Sequence, residues 1–160
     1  MPVIAVASPK GGVGKSTLST NIAGYFASRG HTVVLGDADR QQSARLWLQQ
    51  RPATARPIGA WEVDADWISA PPKQATHAVL DTPAGLGGWR LKDALKLADR
   101  IIVPLQPAGA LGLPVLGYLR NTQNYVQLAA QGQSVFDVAG TRVARDVEQW
   151  QGICDWLDVV

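Results

Sequence analysis

One segment, residues 10–17, constrains this chain more than any other, because it combines closely spaced glycines with lysine and hydroxyl side chains. It reads Lys10, Gly11, Gly12, Val13, Gly14, Lys15, Ser16, Thr17. The apolar residues 3–7 before it predict a buried strand, and residues 16–29 after it predict a helix that ends at Gly30. This order is typical of a phosphate-binding loop, in which backbone N–H groups and the helix N-terminus attract the anion.

Two side chains of this loop indicate which kind of phosphate ligand it binds. Lys15 is expected to reach the β- and γ-phosphates of a nucleotide, and the Ser16 hydroxyl is expected to bind Mg²⁺. The common form of the motif, G-x-x-x-x-G-K-[ST], has a glycine where this chain has Pro9. We therefore expect ATP with Mg²⁺ to bind at residues 10–17, through a loop that departs from the common form at its start.

Length and composition narrow the class of protein. The chain has 160 residues, of which 46% are hydrophobic and 18% charged, and these values fit one domain with one core. Its apolar runs are too short to cross a bilayer, and the first is better explained as a strand than as a signal peptide. A cytoplasmic location is therefore expected. The formal charge of +2 permits contact with nucleic acid without requiring it.

Carboxylates follow two further predicted strands. Residues 32–36 predict a strand that leads into Asp37 and Asp39, and residues 77–81 predict one that ends at Asp81. Open α/β sheets bind ligands outside the carboxyl ends of their strands, so Asp39 and Asp81 are candidates for the nucleotide site. Asp37 is as compatible with a local cap as with that site. His31 and His77 have no second ligand at metal spacing.

The rest of the chain continues to alternate strands and helices. It predicts helices at residues 43–50 (with Leu46 and Trp47 inward), 89–98, 121–131 and 142–157, and a strand at residues 100–107. This alternation predicts an α/β fold of the P-loop NTPase type, in which a mostly parallel sheet carries helices on both faces.

A short connection interrupts this pattern. A further apparent strand at residues 114–118 follows the previous one after only residues 106–113, whereas a parallel crossover needs about a dozen residues. The two strands therefore cannot be parallel neighbours joined by a helix. We expect residues 114–118 to run antiparallel or irregularly, or to lie elsewhere.

Taken together, these motifs resemble the ParA/MinD family of deviant Walker A partition ATPases. The loop matches the family's K-G-G-x-G-K-[ST] pattern, with Lys10 as its additional lysine, and residues 81–85 match the family's second switch. Asp37 and Asp39 match the pattern D-x-D-P-Q, except that Arg40 replaces the proline. The resemblance covers residues 2–107 well and residues 113–157 more loosely.

The resemblance also implies how the chain is organised. Relatives carry a further helix, strand and helix after the segment that corresponds to residues 100–107. Their absence here implies an internal deletion near residues 107–112, within a single P-loop ATPase domain that spans residues 1–160. The sheet is accordingly expected to be one strand shorter than the family sheet.

By the same resemblance, three residues form the catalytic set: Lys10, Lys15 and Asp39. Asp39 would orient or activate the attacking water, and Lys10 would reach across a dimer interface to the partner's nucleotide. The implied metal site consists of Ser16, Asp39 and Asp81, with Asp81 holding Mg²⁺ usually through water.

The implied function is a slow, partner-stimulated ATPase that alternates between an ATP-bound dimer and an ADP-bound or nucleotide-free monomer. It would position DNA or protein cargo on the nucleoid, with an activator of ParB-like role or a cargo adaptor. Nonspecific DNA would contact Arg120, Arg142 and Arg145, although an ordinary solvated surface charge is the alternative for each.

The sequence also bears on two other functions. A membrane-bound relative of the MinD type is disfavoured, because residues 146–160 contain four carboxylates and no lysine or arginine, so that anionic lipid would repel them. The alternative that stays open is a nucleotide-binding interaction module with little or no turnover, because the missing segment would remove part of the sheet.

Overall fold

Short apolar strands form a parallel sheet in the computed structural model of this chain, which describes residues 1–63, 66–85, 89–106 and 112–159. The sheet has five strands in these residues, in the spatial order β3-β2-β4-β1-β5, and every neighbouring pair is parallel. The strands are β1 (Val3–Val6), β2 (Val33–Asp37), β3 (Ile58–Trp61), β4 (His77–Asp81) and β5 (Arg100–Ile102). The predicted α/β class is confirmed.

Helices cover both faces of the sheet, because alternate strand residues point to opposite sides. Ile4, Val33 and Val79 pack into the core that contains α1, whereas Val34 and Leu80 pack on the face that contains Ala94 of α3. The helices in the described residues are α1 (Lys15–Ser28), α2 (Ser43–Gln49), α3 (Trp89–Leu97), α4 (Gln123–Ala129), α5 (Thr141–Gln149) and α6 (Gln151–Asp158). None of them has the length and the apolar run needed to span a bilayer.

Helix α1 is enclosed on nearly all sides, since 11 of its 14 residues are buried. The sheet covers one side of α1. Val143 of α5, Leu157 of α6 and Trp150 between these two helices belong to the same core. The buried polar side chains of Ser19, Thr20 and Asn21 are satisfied by peptide groups: Asn21 Oδ1, for example, accepts a hydrogen bond of 2.9 Å from the Val135 N–H. The helix that begins at the phosphate loop is therefore also the centre of the core.

An ion pair fixes the segment that follows α4 against the end of α2. The Arg51 guanidinium donates to the Asp137 carboxylate at 2.7 and 2.9 Å, and both side chains are nearly buried. Asp137 also accepts hydrogen bonds from the Ser134 N–H and hydroxyl. These bonds hold Ser134 close to α1, where Gly24 leaves room for it.

Several details of the sequence-based prediction are wrong. The strand predicted for residues 100–107 ends at Ile102. Residues 114–118 form no strand, which is the irregular course allowed for them above. Residues 142–157 form two helices that meet at Trp150, which is fully buried and donates its indole N–H to the Tyr125 hydroxyl at 2.9 Å. Trp47 is buried as expected, but Leu46 is 53% exposed. The predicted deletion falls mostly on residues 107–111, outside the described residues.

The close contact between α1 and Ser134 yields a test of the packing. A Cβ atom added at Gly24 would lie 2.1 Å from Ser134 Oγ and 2.5 Å from Ser134 Cβ. Although alanine favours a helix by about 1 kcal/mol over glycine, we expect Gly24→Ala to lower the free energy of unfolding by about 1–3 kcal/mol through overpacking. Chemical denaturation measures this change, and in a Ser134→Gly background the loss should largely disappear. A Gly24→Ala variant more stable than wild type would contradict the packing described.

Candidate nucleotide-binding site

The loop after β1 leaves its peptide groups open to a ligand. Gly12 and Gly14 have φ values of 73° and 88°, which side-chain-bearing residues rarely adopt. A Cβ at Gly11, Gly12 or Gly14 would meet nothing within 4 Å, so the surface of the loop is unobstructed. No side chain caps the start of α1, whose first N–H groups therefore remain available to an anion.

Three charged side chains meet where α1 begins. Lys15 Nζ lies 2.9 Å from Asp81 Oδ1 and 3.0 Å from Asp39 Oδ2. The Ser16 hydroxyl donates to the other oxygen of Asp81 at 2.7 Å. Asp81 is completely buried and Lys15 is 8% exposed, so water screens this pair little. Four of the residues predicted for the site, Lys15, Ser16, Asp39 and Asp81, are thus brought into direct contact by the ends of β2 and β4 and the start of α1.

Burial and neighbouring charges shift the pKa values of this cluster in different directions. Burial raises the pKa of Asp81, although Lys15 and Ser16 oppose it. Burial alone would lower the pKa of Lys15, but Asp81 and Asp39 outweigh it and leave that pKa above its usual value. For Asp39, burial is outweighed by the Gln41 N–H and by Lys15, so its pKa is lowered. At neutral pH, Lys15 is therefore an ammonium beside an ionised Asp39.

Asp37 has a local role. Its carboxylate accepts the N–H groups of Asp39 and Arg45, both at 3.0 Å, and so caps the start of α2 and stabilises the turn that carries Asp39. Burial raises the pKa of Asp37 despite these hydrogen bonds. Of the two interpretations that the sequence left open, the local cap is the one that the contacts support.

The phosphate loop is also bonded to the segment after β4. The Ser8 carbonyl accepts a hydrogen bond of 3.2 Å from the Gly85 N–H, and the Thr82 hydroxyl donates to the Val6 carbonyl at 2.9 Å. The Ser8 hydroxyl also donates to the Lys10 carbonyl at 2.8 Å. Sequence reasoning missed Ser8, whose only signal is a small polar residue shortly after β1. It included Thr82 in the segment 81–85 but assigned it no contact.

The remaining loop residues lie at the surface. Lys10 is exposed, and within the described residues its ammonium group makes no ion pair. Val13 and Thr17 are partly exposed, and Thr17 turns its carbonyl toward the Asn21 amide at 2.8 Å. The proposed action of Lys10 across a dimer interface stays a prediction.

The three arginines predicted to contact DNA lie near α5, and their contacts are to residues outside the nucleotide site. Arg120 donates to the buried carboxylate of Asp146 at 2.6 Å. The Arg142 guanidinium donates to the side-chain oxygens of Asn124 and Gln127. Arg145 is exposed. DNA contact by these residues stays a prediction.

The donor set at the start of α1 fits Mg²⁺ in the company of phosphate groups. This ion prefers oxygen ligands and usually takes only one or two carboxylates beside phosphate oxygens and water. The Ser16 hydroxyl and the Asp81 carboxylate are such oxygens, 2.7 Å apart. His31 and His77 lie elsewhere, with their ring centroids 4.0 Å apart and their planes tilted by 46°, and burial together with His31 lowers the pKa of His77 to about 4.

Comparison with protein families shows to which family the chain belongs. A model of the CobQ/CobB/MinD/ParA nucleotide binding domain matches residues 4–135, most of the chain. The chain belongs to this family. The matched range contains the phosphate loop and both carboxylates that contact Lys15.

Individual relatives agree with this assignment. The chain is 34% identical over 116 residues to maintenance of carboxysome distribution protein A from Gloeobacter kilaueensis, a match over 71% of this chain and 53% of the relative. It is 28% identical over 110 residues to protein ParA from Rhizobium radiobacter, over 67% and 50% of the two chains. The chain thus spans about half the length of the curated relatives it matches.

Two solved structures share the fold of this family. One, described as a plasmid partition protein from Borrelia burgdorferi B31 bound to AMPPNP, has a TM-score of 0.70 at 14% identity, over 99% of both chains. The other, a nucleotide-binding protein from Archaeoglobus fulgidus in complex with ADP, has a TM-score of 0.53 at 18% identity, over 82% of this chain and 63% of that one. At these identities the likeness concerns the fold alone.

The Lys15 contacts predict the effect of removing its charge. Lys15→Met should abolish measurable ATP binding, because each charge-assisted phosphate contact is worth about 1.5–3 kcal/mol. It should also lower the free energy of unfolding by about 3–5 kcal/mol, because Asp81 would stay buried without its cation. Adding Asp81→Asn should restore much of the stability but not the affinity. Urea denaturation and a direct ATP titration measure the two effects, and unchanged ATP affinity in Lys15→Met would exclude this site.

Proposed function

We propose that this chain is a ParA-like, Mg²⁺-dependent ATPase that switches between an ATP-bound dimer and an ADP-bound or nucleotide-free monomer. The observation that carries the proposal is the contact of Lys15 with Asp39 and Asp81 beside the open phosphate loop. Family membership supports the nucleotide, since the matched domain is a nucleotide-binding domain.

Each residue of the cluster has a role that its chemistry supports. Lys15 would exchange its carboxylate partners for the β- and γ-phosphates, while Ser16 and Asp81 would hold Mg²⁺. When bound, this ion supplies positive charge that stabilises the transferring phosphoryl group. Asp39 would then orient or activate the attacking water, with its carboxylate partly exposed and ionised at neutral pH.

The extra lysine supports a dimer. Lys10 is exposed beside the phosphate loop, and in the described residues no carboxylate neutralises it. A second copy that placed its own Lys10 near the γ-phosphate would supply the additional positive charge that phosphoryl transfer requires. Turnover would then depend on dimer formation.

The cellular role follows from the relatives. One is named for carboxysome distribution and another is ParA, so we propose that the dimer positions DNA or protein cargo on the nucleoid of the cytoplasm. An activator of ParB-like role or a cargo adaptor would stimulate hydrolysis. Nonspecific DNA would be held by Arg120, Arg142 and Arg145, of which Arg142 and Arg145 are exposed. No membrane contact is proposed.

A nucleotide-binding interaction module with little turnover is the second candidate. The observation in its favour is that the chain spans about half the length of its curated relatives. We propose further that residues 1–160 form a single domain, with a deletion near residues 107–112. A turnover assay with and without DNA separates the candidates: ATP binding without hydrolysis under all conditions would favour the module.

The ATPase proposal predicts a separation of binding from hydrolysis at Asp39. Asp39→Ala should bind ATP at least as well as wild type, because it removes a carboxylate that competes for Lys15. It should hydrolyse ATP about a hundredfold more slowly, as expected for loss of a general base. Phosphate release measures turnover and a fluorescent ATP analogue measures affinity. Asp155→Ala, which removes an exposed carboxylate on α6, is the control; wild-type turnover by Asp39→Ala would refute the role.

The dimer proposal predicts complementation between inactive subunits. Lys10→Ala should lower turnover by at least about tenfold by removing a cation from the transition state, whereas Lys73→Ala, which removes an exposed charge elsewhere, should not. Mixing Lys10→Ala with Lys15→Ala subunits should restore turnover, because each mixed dimer contains one site with both lysines. If the mixture stays as inactive as its components, Lys10 does not act across the interface.

A further inference from the structure

Gln42 has an unusual backbone conformation next to the candidate site. Its φ and ψ are 55° and 31°, and it is the only residue other than glycine with a positive φ in the described parts of the chain. This left-handed conformation is unfavourable for a residue with a Cβ atom, so it persists only where surrounding contacts maintain it.

The Gln42 side chain makes those contacts with the turn that contains Asp39. Its Nε2 donates to the Asp39 carbonyl at 2.9 Å and to the Asp37 carbonyl at 3.2 Å. The Gln42 backbone N–H also donates to the Asp39 carbonyl, at 3.1 Å. The side-chain amide of Gln42 thus links the end of the segment 37–42 to two carbonyls near its start.

This linked segment determines where the Asp39 carboxylate lies. The Asp39 N–H is bonded to Asp37 at 3.0 Å, and Asp39 Oδ1 accepts the Gln41 N–H at 2.9 Å. Asp39 Oδ2 is left to face Lys15 at 3.0 Å. These bonds use the N–H groups of Asp39 and Gln41, which lie in peptide groups adjacent to the carbonyls that Gln42 restrains. Losing the amide would therefore loosen the turn and free the carboxylate to rotate away from the site.

We propose that Gln42 is a positioning residue for ATP hydrolysis, whose side-chain amide holds Asp39 in the orientation needed to act on water. The proposal rests on the proposed ATPase function. In the described residues, Gln42 makes no hydrogen bond to the loop residues 10–17. Its effect should therefore appear in the rate of hydrolysis and not in nucleotide affinity.

Gln42→Glu tests the proposal with little change in shape. The carboxylate cannot donate to the two carbonyls, so kcat should fall about tenfold, as expected for the loss of two hydrogen bonds, while the KM for ATP stays within about threefold. Gln49→Glu, which makes the same change at an exposed position of α2, should leave both constants unchanged. Gln42→Gly removes the amide but relieves the backbone, so it should also lower kcat even if Gln42→Glu folds poorly.

A double-mutant cycle tests whether the effect passes through Asp39. Asp39→Ala/Gln42→Glu should be no slower than Asp39→Ala alone, because there is no carboxylate left to position. A further drop of tenfold in the double variant would show that Gln42 acts by another route and would overturn the proposal.

Amide hydrogen exchange gives a readout that needs no turnover. In the nucleotide-free protein, Gln42→Glu should speed exchange of the Asp39 and Gln41 amides about tenfold, with the amide of Val79 in β4 unchanged. If exchange rises but even wild type hydrolyses no ATP, the ATPase proposal fails and the role of Gln42 in holding Asp39 stands. Unchanged exchange at Asp39 and Gln41 would refute that role whatever the turnover.

Discussion

The structure depends on how one buried charge is neutralised. Asp81 ends the middle strand of the sheet and has no solvent exposure, a position that is costly for a carboxylate without a cation and hydrogen-bond donors around it. Lys15 and Ser16, the first two residues of α1, supply both. The phosphate loop, the helix after it and the centre of the sheet therefore meet in a single charged contact.

This contact also sets the electrostatic starting point for a ligand. The Lys15 ammonium is already shared between two carboxylates, so an anion must compete for it. A cation bound by Ser16 and Asp81 would take over the neutralisation of Asp81 and release Lys15. We therefore expect metal and phosphate to promote each other's binding at this site, in the reciprocal way that coupled binding requires.

The parts of the fold that could be predicted from sequence are those with local causes. β1, β2 and β4 are short, mostly apolar and buried runs. α1 follows a glycine loop of a type that typically stands between a strand and a helix. Parallel strands also end at a common edge, which explains why Asp39 and Asp81 were found as candidates together. The left-handed backbone of Gln42 gave no such signal, because glutamine has no preference for it.

The rest depends on packing between distant segments. Periodicity made Leu46 and Trp47 equally suitable for the interior, but only the Trp47 indole reaches a partner there, the Gln133 carbonyl at 3.1 Å. The division between α5 and α6 occurs at Trp150, whose side chain is fixed by Tyr125 in another helix. The sequence pattern fits Asp37 equally well in a cap or in the nucleotide site, and only its hydrogen bonds from the N–H groups of Asp39 and Arg45 identify it as a cap.

The enclosure of α1 has a consequence for where this unit can be divided. The family match ends at residue 135, yet side chains beyond it, Val143, Trp150, Ile153 and Leu157, complete the core around that helix. A fragment that ended at residue 135 would expose one flank of α1 to water and lose the hydrogen bonds of the Tyr25 hydroxyl to Asp158. The family match therefore ends before the folding unit does. Helices α5 and α6 belong to the nucleotide-binding unit as much as the phosphate loop at residues 10–17 does.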